Sequence, residues 1–211
     1  MGEELKYKFY FRKTSFKKDI KNAQNLLNLV NLYKPRNFLE VGVLEGVTSR
    51  NICELLYKFY SDNFKYIGID LFGIDKDENN KKEFTPLSNK YSNPLKHIYF
   101  NYILKENPNS INSVENLLKK FQKSVFLHKG YSDEILRRIN IAEIDFVFLD
   151  GGHSYTTVKN DLKILLNNMK KKSIILCDDY NITHYGVKKA VDEFRDNYHF
   201  EDMGRFAFIK V

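Results

Sequence analysis

The sequence has few cysteines and no long apolar run, and each absence excludes a class of protein. Cys53 and Cys177 are its two cysteines, and both fall inside apolar segments with no close partner in sequence. They predict reduced core residues rather than a disulfide framework. No apolar stretch approaches the roughly 20 residues that span a bilayer, and residues 1–12 are charged and aromatic without the apolar core of a signal peptide. A cytoplasmic location with no membrane partner is expected.

Arginine-rich runs are also absent, although the chain is basic. Its formal net charge is +7, with 34 lysines and arginines interleaved with 27 acidic residues. Such a balance permits an anionic substrate without requiring one, and the lysines are typical of solvated helix faces. Nucleic acid is therefore not a favoured partner. No interface pattern decides the oligomeric state, so a homo-oligomer stays an open alternative.

Apolar strands alternate with amphipathic helices along the chain, and internal repeats are absent. At 211 residues the chain is long enough for one sizeable core, so we predict a single domain over residues 1–211. The alternation predicts an α/β fold with a doubly wound, mostly parallel, seven-stranded sheet and an antiparallel last strand. The predicted strands begin near residue 37 and cover about 65–71, 124–128, 144–149, 173–177 and 205–211. The predicted helices cover about 19–33, 47–60, 111–122, 133–139, 155–169 and 185–197.

Regular patterning is lost between residues 72 and 110. Polar residues cluster there, and three prolines punctuate a stretch that also carries several aromatic residues. A loop of this length inside a compact domain is usually functional or mobile. We therefore treat 72–110 as an insertion with two open alternatives: a lid that shapes the substrate pocket, or a partly helical surface segment.

Residues 38–46, Phe-Leu-Glu-Val-Gly-Val-Leu-Glu-Gly, predict a cofactor-binding turn between a strand and a helix. Gly42 and Gly46 tolerate positive φ and let the backbone approach a ligand. Their spacing differs from the Gly-x-Gly-x-x-Gly of dinucleotide-binding turns. The turn resembles motif I of class I S-adenosylmethionine-dependent methyltransferases, which implies that Glu40 faces the methionine part of the cofactor. Ser49 either caps the helix or bonds the cofactor's carboxylate, and a purely structural turn is the alternative.

Asp70 ends the second predicted strand, 24 residues after Gly46. In a doubly wound sheet, a carboxylate about 20 residues past the glycine turn can accept hydrogen bonds from ribose hydroxyls. Asp70 is therefore predicted to bind the ribose. The alternative is an aspartate that caps the following loop.

Further carboxylates follow the fourth and fifth predicted strands, at Asp150 and at the pair Asp178 and Asp179. Ligands of open α/β sheets bind beyond the carboxyl ends of the strands, and carboxylates crowded there repel one another unless a positive charge lies among them. Mg²⁺ prefers such oxygen ligands, and a bound metal ion would lower the pKa of a coordinated substrate hydroxyl. Alternatively, the aspartate pair caps the loop that follows.

Four stretches give a more specific resemblance. They are Asp-Gly-Gly-His-Ser-Tyr at 150–155, Lys-Asn-Asp-Leu at 159–162, Ile-Ile-Leu-Cys-Asp-Asp-Tyr at 174–180 and Gly-Val-Lys-Lys-Ala-Val-Asp-Glu-Phe at 186–194. Together they are similar to the methyltransferase family that includes macrocin-type sugar O-methyltransferases and cephalosporin-hydroxylase-like proteins. The resemblance covers roughly residues 37–194, outside the insertion, and implies a Rossmann-like fold and S-adenosylmethionine as cofactor.

The resemblance also implies roles for individual residues. Asp150, Asp178 and Asp179 occupy the positions that bind Mg²⁺ in metal-dependent members, and Asp150 also lies at the cofactor. Tyr131 and Ser132 occupy the position that contacts the adenine region.

His153 is the candidate general base, acting beside Asp150. It lies three residues beyond Asp150, where a neutral imidazole could accept a proton from a substrate hydroxyl. Contact with the cofactor or orientation of an aspartate are its alternative roles. His184 is a weaker candidate in the loop after the fifth strand.

An amino-directed nucleic-acid methyltransferase would be expected to carry Asn/Asp-Pro-Pro-aromatic after the fourth strand, where this chain has Asp-Gly-Gly-His. The leading hypothesis is therefore a Mg²⁺-assisted O-methyltransferase for a hydroxylated small molecule, and the resemblance alone suggests a sugar or sugar-nucleotide. A hydroxylase-like metal oxygenase is one alternative, although non-haem iron normally takes two histidines and a carboxylate. A non-catalytic S-adenosylmethionine-binding protein is the other.

Overall fold

A computed structural model describes residues 6–73, 93–181 and 185–211, and within them the chain forms one seven-stranded sheet with helices on both faces. The strand order is β3-β2-β1-β4-β5-β7-β6. The strands are β1 (Asn37–Val41), β2 (Lys65–Asp70), β3 (Val125–Lys129), β4 (Phe146–Leu149), β5 (Ile174–Cys177), β6 (His199–Met203) and β7 (Phe206–Lys210).

The helices follow the predicted pattern, with side-chain caps at several starts. Asp19 accepts a hydrogen bond from Asn22 N at the start of α1, and Ser154 accepts one from Thr157 N at the start of α6. No helix in the described ranges is long and apolar enough to cross a membrane. The helices are α1 (Ile20–Tyr33), α2 (Val47–Tyr60), α3 (Pro94–Ile98), α4 (Ile111–Leu118), α5 (Ser132–Leu136), α6 (Tyr155–Asn168) and α7 (Tyr185–Asp192).

The sheet confirms the predicted topology. Strands β1 to β5 pair in parallel, and β7 pairs antiparallel to β5. Strand β6 was not predicted from the sequence; it pairs antiparallel with β7 at the sheet edge, and its residues are exposed or half-buried. An edge strand with polar residues lacks the apolar alternation by which strands are recognised.

Two apolar layers cover the sheet, because successive side chains of each strand point to opposite faces. Phe38 on β1 stacks with Phe146 on β4 at 5.2 Å between ring centroids, on the face covered by α1 and α2. Leu39 belongs to the opposite layer, with α6 and α7. Cys53 lies in the first layer and Cys177 in the second, and both are buried free thiols, as predicted.

The predicted insertion is described only from residue 93 onward. There α3 is followed by a π-helical turn, Tyr99–Ile103, whose Phe100 is buried. Residues 74–92 lie outside the described residues, so the lid over the substrate pocket stays a prediction.

Candidate functional site

The glycine turn lies against the loop that follows β4. Gly42 has φ +94°, and a Cβ atom there would lie 2.0 Å from the carbonyl oxygen of Asp150. Gly46 has φ +76° and is the N-cap residue of α2, where a Cβ atom would lie 3.0 Å from Val114 Cγ1. Both positions therefore require glycine for backbone conformation and close packing. Contact of either glycine with a cofactor stays a prediction.

Asp70 holds the same turn from the tip of β2. Its Oδ2 accepts hydrogen bonds from Val43 N at 2.8 Å and Leu44 N at 3.0 Å, and its Oδ1 accepts one from Phe72 N at 2.7 Å. Burial raises the pKa of Asp70, while these N–H donors act in the opposite direction. The carboxylate thus caps a loop, as the sequence allowed. Its remaining lone pairs can still accept from ribose hydroxyls.

Glu40 forms a buried polar cluster with Ser49 and Tyr66. One carboxyl oxygen, Oε2, accepts hydrogen bonds from Ser49 Oγ at 2.8 Å and from the Tyr66 hydroxyl. Burial raises the pKa of Glu40 to about 8, although both hydrogen bonds favour the charged form. Glu40 is therefore mostly protonated at neutral pH and joins β1, β2 and α2. Ser49 is not the cap of α2, since Gly46 is the N-cap residue.

Arg205 supplies positive charge to the acidic cluster. The side chain of Asp178 is 1% exposed, and its two oxygens accept from Arg205 Nε at 2.5 Å and Nη2 at 2.6 Å. Arg205 Nη2 also lies 3.4 Å from Asp179 Oδ1. From the sequence, we expected a metal ion to supply the positive charge among these carboxylates, and Arg205 was not recognised. The residue stands just before the last strand, and only the pairing of β7 with β5 brings it to this edge.

Three carboxylates and one guanidinium leave the cluster short of positive charge. Burial, together with the charges of Asp178 and Asp179, raises the pKa of Asp150 well above its ordinary value. Burial also raises the pKa of Asp178, in spite of the adjacent Arg205. Burial therefore disfavours the charged forms of both carboxyl groups, and for Asp178 the two hydrogen bonds from Arg205 oppose this effect. Either a proton or a bound cation can relieve the repulsion.

His153 lies beside this cluster. Its Nε2 is 3.1 Å from Asp179 Oδ2, and its side chain is 41% exposed. Ligand atoms of Asp150, His153 and Asp179 all lie within 4.8 Å of one another. The metal ligands predicted from the sequence were Asp150, Asp178 and Asp179. The group described here contains His153 instead of Asp178, so metal binding by the three aspartates stays a prediction. His184 lies outside the described residues.

Ser132 and Tyr131 lie at the start of α5. Ser132 Oγ donates to the carboxylate of the buried Asp161, with its two oxygens at 2.9 and 2.7 Å. This hydrogen bond joins α5 to α6. Tyr131 precedes the helix and is 37% exposed. Their contact with an adenine ring stays a prediction.

The N-terminal segment, residues 6–18, covers the turn and was not recognised as part of the site from the sequence. The Tyr7 hydroxyl is hydrogen-bonded to Thr48 Oγ1 at 2.8 Å. The buried Arg12 guanidinium donates to the carbonyl oxygen of Glu45, in the glycine turn, at 3.3 Å. Ser15 Oγ donates to Asp150 Oδ2 at 3.1 Å. The segment therefore contacts both the glycine turn and the acidic edge.

A family model described as "Methyltransferase domain" matches residues 39–180, about two thirds of the chain. That span runs from β1 to just beyond β5 and contains every predicted site residue except the weaker candidate His184. A comparison with curated protein sequences finds no match.

Solved structures share this fold at low sequence identity. CalS11, described as a TDP-rhamnose 3'-O-methyltransferase of calicheamicin biosynthesis, is 18% identical with a TM-score of 0.59, over 92% of this chain and 80% of its own. The O-methyltransferase NovP is 17% identical with a TM-score of 0.59, over 90% and 78%. The methyltransferase PaMTH1 of Podospora anserina, bound to S-adenosylhomocysteine (SAH), is 13% identical with a TM-score of 0.58, over 95% and 80%. At these identities the likeness shows a shared fold.

Proposed function

This chain belongs to the class I S-adenosylmethionine-dependent methyltransferases, and we propose that it transfers the methyl group to a hydroxyl oxygen of a small molecule. The observation that carries the proposal is the contact of His153 with Asp179, beside Asp150 at the carboxyl edge of the sheet. A hydroxyl group must lose its proton as the oxygen is methylated. A histidine next to a carboxylate is suited to accept that proton.

The cofactor half of the site consists of the glycine turn and the tips of β1 and β2. Asp70 fits the ribose, because the backbone N–H groups of the turn hold its carboxylate in one orientation. When bound, S-adenosylmethionine supplies the methyl group as an electrophile. The residues proposed to hold it are Glu40, Gly42, Gly46, Ser49, Asp70, Tyr131, Ser132 and Asp150.

In the acceptor half, His153 is the proposed general base and Asp179 its orienting carboxylate. If Nε2–H donates to Asp179 Oδ2, which lies 3.1 Å away, the ring accepts the substrate proton at Nδ1. Asp179 then stabilises the imidazolium that forms. The exposed fraction of His153 is compatible with access by an acceptor.

Assistance by Mg²⁺ is a further part of the proposal. Asp150 and Asp179 offer carboxylate oxygens on one side of the cluster, as this ion prefers. Asp178 fits less well as a ligand, because Arg205 engages both of its oxygens. When bound, the ion would orient a substrate hydroxyl and lower its pKa.

The proposed acceptor is a hydroxylated small molecule such as a sugar or sugar-nucleotide. The resemblance to sugar O-methyltransferases supports this choice, as does the fold shared with CalS11, whose described substrate is TDP-rhamnose.

Calorimetric titration with SAH, with and without Mg²⁺, tests the cofactor half of the proposal. We expect micromolar binding, and no binding in either condition would refute it. A screen of hydroxylated sugars and sugar-nucleotides with S-adenosylmethionine, read as SAH formation, then tests the acceptor. The variant His153→Ala should retain SAH binding and lose turnover. Full turnover by this variant would remove His153 as the base.

A further inference from the structure

Arg205 lies outside the segment that matches the methyltransferase domain and yet contacts two residues inside it. Its guanidinium forms a two-pronged hydrogen bond with the buried carboxylate of Asp178. The same Nη2 lies 3.4 Å from Asp179 Oδ1. Such planar recognition of carboxylates is specific to arginine, because the ammonium of lysine lacks the fork of donors.

The N-terminal segment and α1 fix the position of this guanidinium. The Arg205 side chain is 9% exposed, and its guanidinium carbon lies 4.6 Å from the centroid of the Phe16 ring. Nη1 lies 3.4 Å from Oδ2 of Asp19, the N-cap residue of α1. The backbone oxygen of Arg205 accepts a hydrogen bond from Tyr180 N at 2.9 Å. Groups near the N-terminus thus hold Arg205 against the loop after β5.

We propose that Arg205 is a positioning residue that holds Asp179 in the orientation in which it contacts His153. The two oxygens of Asp179 face different partners, with Oδ1 toward Arg205 and Oδ2 toward His153 Nε2. Arg205 also binds the adjacent Asp178, so one guanidinium restrains both carboxylates. This inference rests on the proposed function, in which His153 is the base.

A merely structural role for Arg205 makes a different prediction. Removing one partner of a buried ion pair destabilises a fold whether or not it affects the site, so a lower melting temperature alone does not decide between the roles. A positioning role additionally changes the state of the His153 ring in the folded protein.

The test is the tautomer of His153 in ¹⁵N-labelled, metal-free protein, read by NMR from its Nδ1 and Nε2 resonances at a pH where the ring is neutral. His153→Gln identifies the signals. The variants are Arg205→Lys, which keeps the charge without the fork, and Asp179→Ala, which removes the acceptor beside His153 Nε2. Arg195→Lys is the matched control, because the Arg195 guanidinium also lies near a phenylalanine ring, at 5.0 Å from Phe200, but on the exposed surface.

Wild type and Arg195→Lys should show the two well-separated ring-nitrogen resonances of a single tautomer. In Arg205→Lys and Asp179→Ala these resonances should move toward each other, as in free histidine. Wild-type resonances in Arg205→Lys would overturn the inference and leave Arg205 a structural role. If Arg205→Lys does not fold, wild-type resonances in Asp179→Ala would overturn it instead.

The SAH titration distinguishes a failure of the proposed function from a failure of the proposed role of Arg205. A wild-type protein that fails to bind SAH contradicts the proposed function, and the tautomer result stands independently of it. SAH binding together with unchanged His153 resonances in Arg205→Lys would contradict only the role of Arg205.

Discussion

Replacing the buried Glu40 with glutamine should make the protein less sensitive to pH. Glu40 is 1% exposed and accepts hydrogen bonds from Ser49 and Tyr66. Burial raises its pKa from 4.5 to about 8. A glutamine amide oxygen can accept both hydrogen bonds and does not ionise. Glu40→Gln therefore removes the titration while keeping an acceptor in place.

The sign of the effect follows from the direction of this pKa shift. Between pH 4.5 and about 8 the folded protein keeps a proton on Glu40 that the unfolded chain releases. The contribution of Glu40 to stability is therefore fully present below pH 4.5 and is lost as the pH rises toward 8. Each pH unit in this window lowers the free energy of unfolding by roughly 1.4 kcal/mol, which amounts to about 3 to 4 kcal/mol between pH 5 and pH 8.

The assay is urea denaturation of wild type and Glu40→Gln at pH 5, 6, 7 and 8. Other carboxyl groups titrate in both proteins, so the difference between their free energies of unfolding isolates Glu40. We expect the free energy of unfolding of Glu40→Gln to rise by about 3 to 4 kcal/mol relative to that of wild type between pH 5 and pH 8. Glu115→Gln on the exposed face of α4 should run parallel to wild type. A constant difference for Glu40→Gln would refute the argument that Glu40 is buried and protonated.

Three further predictions concern the turn, the cofactor and the metal ion. Gly42→Ala should destabilise the fold by about 3 kcal/mol or more, because its Cβ atom would overlap the Asp150 backbone at positive φ; Gly204→Ala, with positive φ and open space around it, should lower the melting temperature less. Asp70→Ala should weaken SAH binding by about 1 to 3 kcal/mol; unchanged calorimetric affinity, or an equal loss in the exposed Asp196→Ala, would move the ribose elsewhere. Chelation of metal ions with EDTA should lower turnover of the acceptor found in the screen, and added Mg²⁺ should restore it; full activity after chelation would remove the metal ion from the proposal.

Arg205 changes how the acidic cluster is understood. Four strand ends carry carboxyl groups, and their mutual repulsion is relieved by protonation or by a positive charge among them. The structure supplies part of that charge from the protein itself, through the pairing of Arg205 with Asp178. A metal ion would then be needed only on the side of Asp150 and Asp179, where His153 also lies.

Most helices and strands could be predicted because their signals are local. The apolar positions of α1 recur at helical spacing, Asp19 supplies its cap, and Pro35 follows its end. The strands β1, β2 and β4 are apolar runs that end in an acidic residue or a glycine turn. Strand β6 escaped prediction because its polar side chains lie at the exposed edge of the sheet.

The position of the candidate site also followed from the sequence. Parallel strands present their carboxyl ends at one edge, so residues after β1, β2, β4 and β5 had to come together there. This argument brought Glu40, Asp70, Asp150 and Asp179 to one side of the molecule. It could not say which atoms of these residues would be bound by other parts of the protein.

What the sequence by itself determined is the order of most elements, the α/β class and the edge at which the acidic residues collect, since periodicity and strand direction are properties of short segments. Only the tertiary structure decided which partners these residues have. Gly42 meets the backbone of Asp150, Ser15 donates to Asp150, and Arg205 binds Asp178. These contacts join residues far apart in the chain, and they depend on how strands and terminal segments pack, which no local pattern encodes.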